Sequence, residues 1–150
     1  MVKLKLLIGG SSSFFFHLQA FSKKLNELGV ETKLVLDTDY CDGFPSRKIK
    51  NWFQTKKRFN GLIEEFKPDA IFIDREKHFG IAALEKNIPL LVLLRGHYWS
   101  ELAWYKKTIY KSFPKSIALR KWDQIAKRIF SEAKIILPIC KYLEKITNEH

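Results

Sequence analysis

Leu4-Lys5-Leu6-Leu7-Ile8-Gly9-Gly10-Ser11-Ser12-Ser13-Phe14 is the stretch that decides the fold. A short apolar run stops at two glycines, and three serines then lead into residues at helical spacing, which is the pattern of a buried strand, a turn and a helix N-terminus. Phe14, Leu18, Phe21, Leu25 and Leu28 continue one side of that helix, and Gly29 stands where a C-cap belongs.

The same alternation repeats outward from this unit. Thr32 to Leu36 reads as a second strand, ending at Asp37 before a polar loop that contains Gly43 and Pro45. Ile49, Trp52, Phe59, Ile63 and Phe66 mark one side of a second helix, whose remainder carries Lys48, Lys50, Lys56, Lys57 and Arg58. Pro68-Asp69 ends it, Ala70 to Ile73 forms strand three, Glu76 to Lys86 a short helix and Leu90 to Leu94 strand four. An aromatic segment from Tyr98 to Tyr110 precedes Pro114 and a helix through Ala118, Trp122, Ile125, Ile129 and Ala133. Ile135 to Leu137 is strand five, and a last helix occupies Ile139 to Glu149.

Strands that are apolar throughout are buried on both faces, and strands alternating with helices make a parallel sheet. The expectation is therefore one α/β domain over residues 1–150: a doubly wound, Rossmann-like parallel sheet of about five strands with helices on both faces. Such sheets bind ligands at the carboxyl ends of their strands, where the strand order reverses. The loops at 9–13, 37–46, 74–78, 95–101 and 138–141 are the places to look.

Charge narrows the partners. The 27 Lys and Arg against 16 Asp and Glu leave +11 at pH 7, a surface that attracts phosphates or anionic membranes. Cys41 and Cys140 lie far apart with no Cys-x-x-Cys or Cys/His spacing, so neither a disulfide framework nor a metal site is expected, and a reducing cytoplasm fits. Lys3 and Lys5 interrupt the first apolar run, which excludes a signal-peptide core, and Ile88 to Leu94 is far too short to span a bilayer. Membrane contact, if made, is peripheral, at the inner face.

Gly9, Gly10 and Ser11 open the first helix and suit a phosphate held by backbone N–H groups, although a serine-capped turn without ligand explains them too. The turn lacks the Gly-Lys-Ser/Thr of a phosphate-binding loop and the third glycine of the dinucleotide fingerprint, while Asp37 loosely imitates the ribose-binding acid. Arg95 either binds a phosphate or pairs with Glu101. An imidazole, unperturbed near ~6.5, exchanges protons with a hydroxyl at neutral pH, which makes His97 a candidate, beside the plain reading of a solvated or capping group. Asp74-Arg75-Glu76-Lys77-His78 closes strand three and could line the ligand cleft, but such a charge cluster reads first as a solvated helix start.

From Glu101 to Arg128, Lys106, Lys107, Lys111, Lys115, Arg120 and Lys121 lie among Trp99, Trp104, Tyr105, Tyr110 and Phe113. That mixture suits an anionic membrane interface, or single-stranded nucleic acid, or simply aromatics packed inward beneath solubility charges.

Arg95-Gly96-His97-Tyr98-Trp99-Ser100-Glu101 after strand four, the glycine turn after strand one, and Leu137-Pro138-Ile139-Cys140-Lys141-Tyr142-Leu143 together resemble the N-terminal domain of family 4 (group 1) GT-B glycosyltransferases. The resemblance spans the chain but only half of such an enzyme. It implies an acceptor-side domain, a nucleotide-sugar donor used as substrate rather than a bound cofactor, and a hydroxyl acceptor that is lipid-linked or a glycan. It also places His97 near the reacting sugar as the catalytic candidate, with Gly9, Gly10, Ser11, Arg95, Gly96 and Glu101 contacting acceptor or donor phosphate. At strand five, Ile139 or Cys140 stands where a small polar residue is commoner. The donor-binding domain, with its paired glutamates, lies outside these residues, so a C-terminal domain or partner chain is needed for activity. The alternative is a non-catalytic basic module for nucleic acid or anionic membrane.

Overall fold

The computed structural model describes residues 3–40 and 51–150, with the side chains of 51–56 excepted. Cys41, the loop through Gly43 and Pro45, Lys48, Ile49 and Lys50 fall outside those residues, as do the side chains of Trp52 and Lys56.

Five strands, β1 (Lys5–Gly10), β2 (Glu31–Leu36), β3 (Ala70–Asp74), β4 (Leu90–Leu94) and β5 (Ile135–Pro138), form one wholly parallel sheet in the order β2-β1-β3-β4-β5. Helices connect them: α1 (Phe15–Glu27), the four-residue α2 (Asp37–Tyr40), α3 (Asn51–Phe66), α4 (His78–Glu85), α5 (Tyr98–Lys107), α6 (Lys115–Glu132) and α7 (Lys141–Glu149). This is the expected doubly wound α/β sheet. The chain steps from β1 outward to β2, then returns to the other side of β1, so the strand order reverses between β1 and β3.

Strand alternation sorts the side chains onto two faces. Leu7, Ile71, Ile73, Leu90 and Val92 point to one face, where Phe59 and Ile63 of α3, Phe79 and Ala82 of α4 and Ile129 of α6 close over them. Leu6, Ile8 and Phe72 point to the other, under Leu18 and Leu25 of α1. A third cluster, centred on Tyr98, Leu102, Leu119 and Ala126, joins α5 to α6. Each such Leu, Ile or Phe, fully buried, contributes roughly 1.5–3 kcal/mol, so the sheet is held from both sides along most of its width.

Two expectations need correction. β5 is not buried on both faces: Ile135 and Leu137 are 44% and 39% exposed, because β5 is an edge strand and α1, which covers that face, lies over β2 and β1 and reaches β3 at Phe72. Ile135 and Leu137 pair with Leu91 and Leu93, so one apolar face of the sheet stays uncovered at this edge. The stripe of α1 is also only partly used. Leu18 is buried, but Phe21 is 39% exposed, and Leu28 is 71% exposed because it caps the helix beyond the end of the sheet. Gly29 has φ +92, the left-handed conformation that the turn after α1 requires.

Candidate functional site

At the strand tips the polar residues converge across the point where the strand order reverses. Asp74 ends β3 with 1% exposure. Its carboxylate accepts Arg95 Nε at 2.6 Å, Arg95 Nη2 at 2.8 Å and the Ser11 hydroxyl at 2.5 Å. Ser11 in turn accepts Arg95 Nη2 at 3.2 Å, so β1, β3 and β4 are tied at their ends by three side chains. Burial alone would push the Asp74 carboxyl up, but the hydrogen bonds from Arg95 and Ser11 outweigh it and hold the carboxyl below its usual range. The Arg95 guanidinium also lies over the Phe14 ring, 4.1 Å from its centre.

A second set surrounds this one. Arg75, at φ +72, turns its side chain onto Glu101 of α5 and, at 3.5 Å, Glu76. Glu76 is 1% exposed, and one of its oxygens has no hydrogen-bond partner. Burial raises its carboxyl above the usual value, only partly offset by Arg75. Lys77 faces Asp37, the residue after β2, at 3.4 Å, and burial raises Asp37 against that pull. A Cβ on Gly96 would come within 2.6 Å of a Glu101 oxygen and 3.5 Å of the Arg75 guanidinium, so glycine is what lets this pair lie across the loop after β4.

Between these groups and the α5–α6 connection is a cavity of about 300 Å³. Ser11, Arg75, Glu76, Arg95 and Glu101 supply its polar side, and Tyr105, Tyr110 and Trp122 supply an aromatic wall. Its charge is balanced by pairing: each lining cation meets a carboxylate, Arg75 with Glu101 and Glu76, Lys77 with Asp37 and Arg95 with Asp74, so the excess positive charge of the chain is elsewhere. Hydroxyl groups find donors, acceptors and ring faces here; an added phosphate would have to displace carboxylates already paired to the arginines. Among the described residues no group of three or more His, Cys, Asp or Glu could hold a metal ion.

The structure thus brings Ser11, Arg95 and Glu101 together and sets Gly96 beneath them. Arg95 does not pair with Glu101; it takes Asp74, and Arg75 takes Glu101. The reason is depth: Asp74 sits at a strand end that Arg95 faces directly from the neighbouring strand. The run from Asp74 to His78 is not a solvated helix start, because Asp74 and Glu76 are buried and carry the site. Gly9 and Gly10 leave space that protein already fills. A Cβ on Gly9 would overlap the Phe79 ring, and one on Gly10 would overlap Leu18, so both glycines let helices approach β1.

His97 stands at the same end of the sheet but does not line the cavity. It is the N-cap of α5: its Nδ1 accepts the Ser100 backbone N–H at 3.1 Å, and its ring lies 5.9 Å from that of Tyr142. With Nδ1 accepting, the N–H the ring has to offer is at Nε2. His78, not singled out by the sequence, is pulled down to about 4 by burial and then by Lys121. Lys121 is accordingly half-buried beside α4, whereas Lys106, Lys107, Lys111, Lys115 and Arg120 are exposed.

No family model and no curated protein matches the chain. Among solved structures, the UDP-N-acetylglucosamine 2-epimerase of Rickettsia bellii is similar, with a TM-score of 0.65 at 12% sequence identity. The match covers 99% of this chain and 42% of the epimerase, so this chain spans less than half the length of that protein. Chemotaxis protein CheY4 of Vibrio cholerae matches with a TM-score of 0.47 at 14% identity, over 98% of each chain. At these identities the likeness to the epimerase is one of fold.

Proposed function

We propose that the chain is the acceptor-side domain of a GT-B-like glycosyltransferase, completed by a donor-binding domain or partner chain, and that it receives a hydroxyl-bearing lipid-linked or glycan acceptor. The observation that carries this reading is the charge-balanced, aromatic-walled cavity at the reversal of strand order, on a fold shared with part of an enzyme named for a nucleotide sugar. Planar carboxylates and guanidinium groups beside aromatic rings suit sugar hydroxyls and the apolar faces of pyranose rings. Donor phosphate is assigned to the completing domain, since Arg75 and Arg95 are already neutralised here. The uncovered strip of Ile135 and Leu137 on β5 offers that domain an apolar surface.

In this reading Arg75 and Glu101 bind acceptor hydroxyls, and His97 works through Nε2–H, orienting an oxygen at the rim rather than taking its proton while Nδ1 is engaged by Ser100. Saturation-transfer NMR on this chain tests the assignment, with neutral methyl glycosides and a UDP-sugar as separate ligands. The expected result is glycoside binding at millimolar level that Glu101→Gln and Arg75→Gln abolish, with the UDP-sugar silent. Saturation of the UDP-sugar alone, unaffected by either variant, would overturn it.

A second reading, the non-catalytic basic module, is favoured by the exposed cations between α5 and α6. It makes no use of the cavity.

A further inference from the structure

The α5–α6 corner presents two features together that neither folding nor the cavity explains. Residues 102–122 contain six cations and no acidic residue. Lys106, Lys107, Lys111, Lys115 and Arg120 are exposed, and none of them has an ion-pair partner among the described residues. On the same corner Trp104, Ile109, Phe113 and Ile117 are 55%, 48%, 79% and 38% exposed. The exposure does not come from a loose corner, because the opposite side of the same segment is packed: Tyr98, Leu102 and Leu119 are buried, and the Tyr98 hydroxyl donates to Asp123 at 2.9 Å.

We propose that this corner docks the protein on an anionic phospholipid bilayer, with Trp104, Ile109, Phe113 and Ile117 entering the headgroup region and the surrounding lysines facing lipid phosphates. Two alternatives fit less well. Solubility charges are ordinarily mixed with acids and do not ring four exposed apolar side chains. Nucleic acid rewards aromatic rings in a basic groove by base stacking, but gains little from the aliphatic Ile109 and Ile117. A bilayer interface uses all of them, since aromatic and aliphatic groups enter its apolar boundary while cations meet its negative surface potential. No helix among the described residues is long and apolar enough to cross a membrane, so the docking is interfacial. Because Tyr105 and Tyr110 line the cavity from this same segment, docking brings the cavity near the lipid surface. The inference itself does not depend on the carbohydrate reading.

Co-sedimentation with vesicles tests it, using phosphatidylcholine alone and phosphatidylcholine mixed with phosphatidylglycerol, each at low and high salt. The protein should sediment with the mixed vesicles at low salt, release at high salt, and ignore phosphatidylcholine alone. Each lysine replaced by glutamine should weaken binding about fivefold, so a Lys107→Gln, Lys111→Gln, Lys115→Gln triple variant should lose on the order of a hundredfold. Trp104→Ser with Phe113→Ser should weaken binding roughly tenfold or more, and the Trp104 fluorescence of the parent should shift to the blue on docking. Circular dichroism checks that both variants keep the fold. Equal sedimentation with both vesicle types overturns the proposal, as does binding untouched by the two variants. So does a single-stranded oligonucleotide that binds more tightly than the mixed vesicles, is lost in the lysine variant and is kept in the Trp104/Phe113 variant.

Discussion

Arg75, Lys77 and Arg95 at the strand tips each face a carboxylate, whereas Lys106, Lys107, Lys111 and Lys115 around the α5–α6 corner face none among the described residues. The first group is partly or largely removed from water, the second stands in it. Charge near low-dielectric surroundings is costly unless paired, so the strand-tip cations have become structural and directional, fixing Ser11, Asp74 and Glu101 around a cavity. The corner cations remain available to an outside partner. The net charge of +11 therefore describes the corner and the helix surfaces, not the cavity.

The comparison breaks most sharply at Asp74. Asp74→Ala leaves Arg95, whose side chain is only 20% exposed, without its bidentate partner and Ser11 without its acceptor. A loss of about 3 kcal/mol is expected in urea denaturation, near the lower end for a broken buried pair because Arg95 keeps some contact with water. Since the Asp74 carboxyl lies below its usual range, its stabilising share is present above the ordinary carboxylate pKa and disappears as pH falls through the depressed value. If Asp74→Ala costs no more than a surface lysine does, the strand-tip network is not structural.

His78 sits where the two regions meet, at the start of α4 and under the influence of Lys121. Its imidazole stays neutral down to about 4 in the folded protein, while in the unfolded chain it takes a proton near ~6.5. Stability tied to the neutral ring is therefore complete above that unfolded value and lost as pH falls toward 4, by up to roughly 2–3 kcal/mol. Glu76 and Asp37, both raised by burial, respond in the opposite direction as pH falls, so the difference between the parent and His78→Gln isolates the imidazole. Denaturation midpoints measured from pH 7 to 4 should separate the two curves progressively; parallel curves would remove His78 from the account.

Gly9 sharpens the same contrast from the core side. Gly9→Ala drives a methyl group into Phe79, itself stacked on Phe59 at 4.4 Å between centroids, and should cost about 2 kcal/mol by overpacking. Gly61, on the exposed face of α3 with nothing near its missing Cβ, should instead gain about 0.5–1 kcal/mol as alanine. Thermal denaturation of the two variants gives opposite signs if the glycines at the end of β1 serve packing.

The fold was legible because its signal is local. Leu90–Leu94 has the same limits in the sequence and in the sheet, and α6 follows the periodicity of Ala118, Trp122, Ile125 and Ile129. The candidate site was legible only in part. Arg95, Gly96 and Glu101 were found from their place after β4, but their partners were not, since Ser11, Asp74 and Arg95 meet over 63 and 21 residues of sequence. A run of alternating charges such as Asp74 to Lys77 looks solvated until the topology buries one side of it. Arg75 and Glu76 were set aside for that reason, and Tyr105, Tyr110 and Trp122 read as packing or interface aromatics because nothing local marks them as a cavity wall. The one advance signal for Arg75 and Glu76 was that Asp74 to Glu76 follows directly on an apolar strand at the ligand-binding end of the sheet.

The smallest expected effect is the most discriminating for the corner. Lys111 and Lys115 make no ion pair among the described residues and are exposed to solvent, so replacing both by glutamine should change folding stability by less than about 0.5 kcal/mol. Relief of repulsion among neighbouring cations would move the balance slightly toward greater stability at low salt, and that gain should vanish as salt shortens the screening length to about 10 Å or less. Urea denaturation at two salt concentrations measures both terms. A loss well above this limit would mean that these lysines are bound into the fold as Arg95 is, and the division between paired charge at the strand tips and free charge at the corner would no longer hold.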